Sequence, residues 1–280
     1  MALDKTHLLT SAQMADFVAD GFLRFDELIP EEINREAMRE IDEERIPRHY
    51  ERSGMALSDL WPQSNGFGAM FRHPAVQGMI RSLVGPNPLY DHHAFHKVGP
   101  QHIEGQIWHA DNIIDPRLHF DIQLFYYPHD TPREMGGTMF LPGSHLRYVH
   151  ESFIGRYQNF LNQAPIVCKA GTVAVAHHGI WHCAQPNRTD TMRYMFKLRI
   201  NPTVRQMLLW NTDDLADPTT QSRIGQALFR HHRWYGAEDR LEYAQRIKLW
   251  RFLVGNEKFD ARYWLTRVEN CPERIVPADV

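Results

Sequence analysis

Cysteine is scarce, with three residues in 280 (Cys168, Cys183 and Cys271) and no Cys-x-x-Cys pair. Such an odd, scattered set argues against a disulfide framework and for a reducing compartment. Long hydrophobic runs are also missing. No stretch approaches the ~18–20 apolar residues that cross a bilayer, and Asp4, Lys5 and His7 interrupt what would have to be the apolar part of a signal peptide. A soluble, cytoplasmic protein without a membrane partner is the expectation. Nor is there a basic excess: 31 Lys and Arg against 34 Asp and Glu leave a net charge of −3. That balance excludes a broad nucleic-acid footprint, and the short Arg/His run at 229–233 is too small to change it. Internal repeats, low-complexity tracts and flexible linkers are absent as well.

What is present is the composition of a globular enzyme with a substantial core, 43% hydrophobic, 23% charged and 11% aromatic. The length fits one domain over 1–280, since decorated β-barrels and sandwiches reach this size as one unit. Three parts are expected: a helical N-terminal part over 8–84, a β-rich core over 88–201 and a helical C-terminal extension over 205–270.

Thr10 and Gln13 read as a capping box opening a helix that Gly21 ends. Residues 22–25 form a short strand, and Pro30 with Glu31 and Glu32 opens a second helix to about Glu44. The Glu/Arg-rich segment 31–52 reads as a solvated helix face. Residues 53–69, with Gly54, Pro62, Gly66 and Gly68, look irregular, and their Met55, Leu60, Trp61 and Phe67 either pad the core or roof a site. His73 and Pro74 begin a helix reaching Val84, stopped by the Gly-Pro-Asn-Pro turn at 85–88. From Leu89 the pattern turns to β, with short alternating runs at 90–97, 118–127, 138–141, 166–168, 172–176 and 192–200 besides the run at 107–111. About seven short strands separated by turns fit a double-stranded β-helix, a jelly roll of the cupin type, better than βαβ units. Residues 146–165 read as an inserted loop or short helix carrying contacts. Near the C-terminus Tyr243, Ile247, Trp250 and Val254 share one helix face, which packs on the core or joins a second copy in a homo-oligomer.

The run 107–111, Ile-Trp-His-Ala-Asp, carries the chemistry. In an extended chain His109 and Asp111 point to the same side. Among 17 histidines one His-x-Asp is weak by itself, but the segment 176–182 supplies three more imidazoles, His177, His178 and His182. Eleven positions after His182 stands Arg193, inside a β-prone run where a buried guanidinium needs an anionic partner. Two His and one carboxylate on one face of a metal, with the other positions open, is the non-haem Fe(II) oxygenase arrangement.

These residues resemble the phytanoyl-CoA dioxygenase family of Fe(II)/2-oxoglutarate-dependent oxygenases in their order and in the eleven-residue final step. The resemblance covers roughly residues 8–201 and includes the opening helix with its Gly-Phe pair at 21–22, the turn at 85–87 and the Pro-Gly-Ser-His turn at 142–145. It implies Fe(II) held by His109, Asp111 and His182, and 2-oxoglutarate whose distal carboxylate pairs with Arg193, with Tyr126 and Thr138 as further cosubstrate contacts. It also implies O2 as the oxidant and hydroxylation of a small-molecule metabolite with release of succinate and CO2. The carboxylate at Asp111 argues against the related halogenases. The chain departs from the family pattern at Ala184, where many members have Ser, at Thr172, where Asp is usual, and at Tyr126, where some have Trp. His93, Phe95 and Trp61 are candidate substrate contacts, while His177 and His178 are rival third ligands. Competing readings of the same residues are a Zn or Mn jelly-roll isomerase or hydrolase, in which Arg193 would hold a substrate acid, and a binding protein without catalysis. The resemblance spans a substrate range from fatty acyl thioesters and amino acids to phosphonates and natural products.

Overall fold

The computed structural model describes residues 4–47, 49–111, 119–147, 151–156, 159–233, 236–256 and 259. The start of the run expected at 118 and the end of the C-terminal extension lie outside them. The chain opens with helix α1 (Ser11–Asp20). Thr10 and Gln13 form the expected capping box, and Gly21, left-handed at φ 82°, closes the helix, a conformation that costs Gly little. Strand β1 (Phe22–Phe25), helix α2 (Glu31–Asp42) and strand β2 (His49–Ala56) follow. Next come helices α3 (Phe67–Arg72) and α4 (Pro74–Val84), the latter begun by proline and ended at Gly85.

The strands then come in quick succession: β3 (Leu89–Val98), β4 (Ile122–Tyr127) and β5 (Thr138–Phe140). A short helix α5 (Glu151–Ile154) precedes β6 (Ala164–Pro165), β7 (Thr172–His177), β8 (His182–Ala184) and β9 (Arg193–Asn201). Helices α6 (Pro218–Leu228) and α7 (Ala237–Val254) complete the described chain. No described helix is long and apolar enough to cross a membrane.

The strands make two antiparallel sheets, six-stranded in the order β1-β7-β4-β9-β3-β2 and three-stranded in the order β6-β5-β8, a mainly β jelly roll with flanking helices. Every residue of β4 and β7 is buried, because both faces of the large sheet are covered. On one face Ile122, Leu124, Tyr126, Val173, Val175, Phe196, Leu198 and Ile200 join the apolar residues of the helices in the main core. On the other, Phe125, Tyr127, Ala174, Ala176 and Met195 meet Phe140, Ile166 and Ile180 between the sheets. The period of two therefore sorts each central strand into a helix-facing set and a barrel-facing set.

The end of β2 reaches into the segment expected to be irregular, and this strand pairs with β3 around a bulge between Glu51 and Met55. The segment's apolar residues pad the core and do not roof a site. Trp61 lies with Phe67, Phe71, His93 and Phe196 in an aromatic cluster, its ring 4.8 Å from that of His93. Helix α2 ends at Asp42, short of the 31–52 expected for a solvated helix face, and among the described residues that reading also fails at Glu40 and Asn34. Glu40 is buried and accepts from the Ser64 hydroxyl (2.8 Å) and from the N–H groups of Gly66 (3.2 Å) and Phe67 (2.9 Å), which ties α2 to the start of α3. Asn34 is buried as well, donating to the Ile29 carbonyl at 3.0 Å.

Candidate metal centre and its surroundings

A single pair of reciprocal backbone hydrogen bonds sets up the site. His109 N–H donates to the His182 carbonyl (3.1 Å) and His182 N–H to the His109 carbonyl (2.9 Å). The run at 107–111 thus makes an isolated antiparallel bridge, not the full strand expected. Directly opposed residues project side chains to the same face, and the two imidazole rings lie 4.4 Å apart. The residues preceding both histidines point the other way: Trp108 and Trp181 are buried with Leu141, Ile154 and Cys183, packed against Phe160 of the inserted segment. That apolar clamp holds the bridge from behind.

Asp111 completes the group. Its Oδ1 is 3.8 Å from His109 Nε2 and its Oδ2 is 3.5 Å from His182 Nε2. The three residues offer donor atoms within 4.8 Å of one another. Each imidazole uses its Nδ1–H on a backbone carbonyl two residues earlier, His109 on Ile107 (2.8 Å) and His182 on Ile180 (3.1 Å). This leaves both Nε2 lone pairs aimed into the group, the state a metal ligand requires. Burial pushes His182 down to about 3, so its ring is neutral at ordinary pH. Burial opposes the charge of Asp111, but the Lys197 ammonium, by its charge and its hydrogen bond, and the hydrogen bond from Gln123 outweigh it and hold the carboxyl well below its usual range.

The rival histidines go elsewhere. His177 faces the helices, its ring against Phe17 and Phe120. His178 Nδ1 accepts from the Gln123 amide at 3.1 Å. Three expected contacts also fall on the wrong side of the large sheet. His93 accepts from the Tyr90 hydroxyl (2.7 Å) and donates to the Pro47 carbonyl (2.8 Å). Phe95 packs on Phe67 and Phe196, and Trp61 belongs to the same cluster. Tyr126, expected at the cosubstrate, faces the helices too and donates to Asn34 Oδ1 at 2.6 Å. Strand parity is the reason: each occupies the helix-facing phase of its strand or, for Trp61, the layer that covers it.

Arg193, by contrast, starts the barrel-facing set of β9. It is 3% exposed, and its Nη1 donates to the carbonyls of Met135 (2.8 Å) and Gln185 (2.7 Å). Among the described residues no carboxylate forms a salt bridge with it. Burial lowers its pKa, as expected of a guanidinium without an anion beside it. Tyr127, interacting electrostatically with Arg193, has a buried hydroxyl with no hydrogen-bond partner that meets distance and angle. Thr138 is buried at the start of β5, its hydroxyl side near Tyr127. A buried cation, an unsatisfied hydroxyl and a Thr make a place suited to a small carboxylate.

Three barrel-facing residues, Lys197, Gln123 and Tyr127, had not been singled out from the sequence. Lys197 donates from Nζ to Asp111 Oδ2 at 2.7 Å, and the Gln123 amide donates to the same oxygen. His96 and Tyr127 also face inward, His96 Nε2 being buried without a partner. A signal for them existed: once Arg193 faces the barrel, the period of two carries Lys197 with it, and Gln123 and Tyr127 share one phase of β4.

The fold is shared with known proteins. The structure superposes on iron-bound HygX from Streptomyces hygroscopicus with a TM-score of 0.56 at 17% identity, covering 75% of this chain and 93% of that one. It is similar to SnoK, a non-haem alpha-ketoglutarate-dependent carbocyclase from nogalamycin biosynthesis (TM-score 0.55, 16% identity, 77% and 93% covered). A third likeness is to EvdMO1 (TM-score 0.53, 19% identity, 69% covered), of which this chain spans half the length. No curated protein sequence matches. The sequence model for phytanoyl-CoA dioxygenase matches residues 17–195, a span that includes His109, Asp111, His182 and Arg193, and on that match the chain belongs to the phytanoyl-CoA dioxygenase (PhyH) family.

Proposed function

We propose that the protein is an Fe(II)- and 2-oxoglutarate-dependent dioxygenase that hydroxylates an unactivated C–H bond of a small molecule. The observation that carries the reading is the pairing of two features inside one barrel. Two imidazole Nε2 atoms and a carboxylate converge, and a buried guanidinium without a carboxylate partner among the described residues stands on the same inner wall. The donor set fits ferrous iron, a borderline ion that accepts imidazole and carboxylate and leaves positions for other ligands. His109, Asp111 and His182 would hold the metal. When bound, the iron with 2-oxoglutarate and O2 supplies the oxidant, with succinate and CO2 as coproducts.

The chain's own residues bind, orient and shield. Arg193 presents parallel N–H donors to the distal carboxylate of the cosubstrate, with the Tyr127 hydroxyl and Thr138 beside it. Phe125 and Phe140, with ring centroids 6.0 and 6.2 Å from that of His182, wall the centre on its inner side and exclude water there. The carbonyls of Ile107 and Ile180 keep the two imidazoles in the ligating tautomer.

The test is an anaerobic titration of purified protein with Fe(II) and 2-oxoglutarate, followed by succinate measurement in air. A visible charge-transfer band and oxoglutarate-dependent succinate are the expected results. Metal binding without either would discard this reading in favour of another jelly-roll metalloenzyme.

A further inference from the structure

Asp111 Oδ2 carries two donors, the Lys197 ammonium at 2.7 Å and the Gln123 amide. Oδ1 receives no hydrogen bond from any described residue. The Gln123 side chain is itself fixed: its other amide hydrogen goes to His178 Nδ1 at 3.1 Å, and the side chain is fully buried. Lys197 is held by strand position, since its side chain is 13% exposed and Ala94 of β3 and Phe125 of β4 are its ladder partners. The arrangement is a clamp on one carboxylate oxygen, with a neutral jaw and a charged one.

We propose that Lys197 and Gln123 are positioning residues that commit Asp111 to ligating the metal through Oδ1 alone, and that Lys197 also makes the centre selective for anionic ligands. This rests on the metal-site reading above. Two neutral imidazoles and one carboxylate would leave a dication with one unit of charge cancelled. The ammonium offsets that carboxylate, so the open face of the metal keeps close to its full positive charge. A dianion such as 2-oxoglutarate gains from this, whereas the metal ion itself loses, because a fixed cation beside its only anionic protein ligand repels it. The two jaws therefore have opposite effects on metal affinity. Gln123 orients without charge, so its removal frees the carboxylate to rotate and weakens metal binding.

The experiment measures Co(II) affinity of the full chain without cosubstrate by calorimetry, then 2-oxoglutarate affinity of the Co(II)-loaded protein, for the wild type, Lys197→Met, Lys197→Arg and Gln123→Leu. Lys197→Met is expected to bind Co(II) about 10-fold more tightly and 2-oxoglutarate about 10-fold more weakly, by the size of one charge acting at short range. Lys197→Arg should stay near the wild type on both. Gln123→Leu should bind Co(II) at least about 10-fold more weakly. Weaker Co(II) binding by both Lys197→Met and Gln123→Leu, or no change in either, overturns the proposal. If Lys197→Met does not fold, Lys197→Gln removes the same charge and is held to the same two affinities. Failure of the wild type to bind Co(II) at all would instead strike down the metal-site reading on which the proposal depends.

Discussion

Residue 182 and residue 178 are both buried histidines within one short segment, yet only one of them has a lone pair turned toward Asp111. His178 spends its Nδ1 on Gln123, while His182 spends its Nδ1 on a backbone carbonyl and keeps Nε2 for the centre. His182→Ala is expected to abolish high-affinity Fe(II) or Co(II) binding, whereas His178→Ala should retain it within about 10-fold, the loss of one outer hydrogen bond; calorimetric titration of both variants checks the pair. Arg193 is the second decisive residue. Arg193→Met should leave metal affinity intact and weaken 2-oxoglutarate binding about 100-fold, the worth of a lost charge-assisted pair in a buried site, measured as the concentration needed for half of the anaerobic absorption band. At this scale much was legible. Chemistry-bearing residue types at fixed separations pointed to His109, Asp111, His182 and Arg193. Tyr126, His93 and Phe95 were misplaced because a side chain's type does not say which face of a buried strand it occupies.

At the scale of elements, the helical layer is fastened to itself by polar contacts that the composition hides. Glu40 sits in a helix whose charge pattern reads as solvated, yet it accepts from the N–H groups of Gly66 and Phe67 at the start of α3, where the N-cap residue, Gly66, has no side chain to offer. A helix N-terminus leaves unsatisfied donors and a partial positive charge, so a buried carboxylate is favoured there. Glu40→Ala should cost about 1–3 kcal/mol, the range for stripping a buried acceptor from its donors, and Glu40→Gln should recover part of it; urea denaturation of the two variants decides. The helix boundaries came from local signals, Thr10 with Gln13, Gly21, Pro74 and Gly85. Strand β2 stayed hidden since its pairing with β3 passes through a bulge and needs the partner strand to exist.

Across the whole molecule, the C-terminal helices are joined to the first helix by a cluster of charges behind the barrel. His232 donates to Asp20 (2.8 Å) on α1 and to Glu242 (2.6 Å) on α7. Arg246 and Arg147 pair with Glu242, and Arg230 with Asp20. Burial opposes a charge on His232, but its hydrogen bonds to Asp20 and Glu242 prevail and its pKa is raised. For Asp20 and Glu242 burial is likewise outweighed, by His232 and the arginines, and their pKa values are lowered. A raised histidine pKa stabilises the fold fully below the unfolded value near 6.5 and ceases to do so as pH climbs through the folded one. The lowered carboxylates stabilise above their unfolded values near 4 and stop as pH falls through the folded ones. Buried histidines with lowered pKa values, His96, His178 and His182, act in the opposite sense and stabilise the fold only as pH rises to their unfolded value near 6.5. Thermal stability should therefore peak near neutral pH and decline from there toward pH 9, and in His232→Gln the alkaline decline should be shallower. A wild-type melting temperature that rises between pH 7 and 9 would contradict this origin.

The sequence by itself determined the class of fold, the helix ends and the chemical identities at the centre, because these follow from short-range periodicity, turn chemistry and residue type. Only the tertiary structure decided which face each buried strand turns to the barrel, which of three nearby histidines closes the triad, and that Lys197 and Gln123 grip Asp111. The physical reason is that β4 and β7 are covered on both sides. Alternation then no longer separates apolar from polar, and the assignment of faces is made by the partner strands and layers that meet only after the chain has folded.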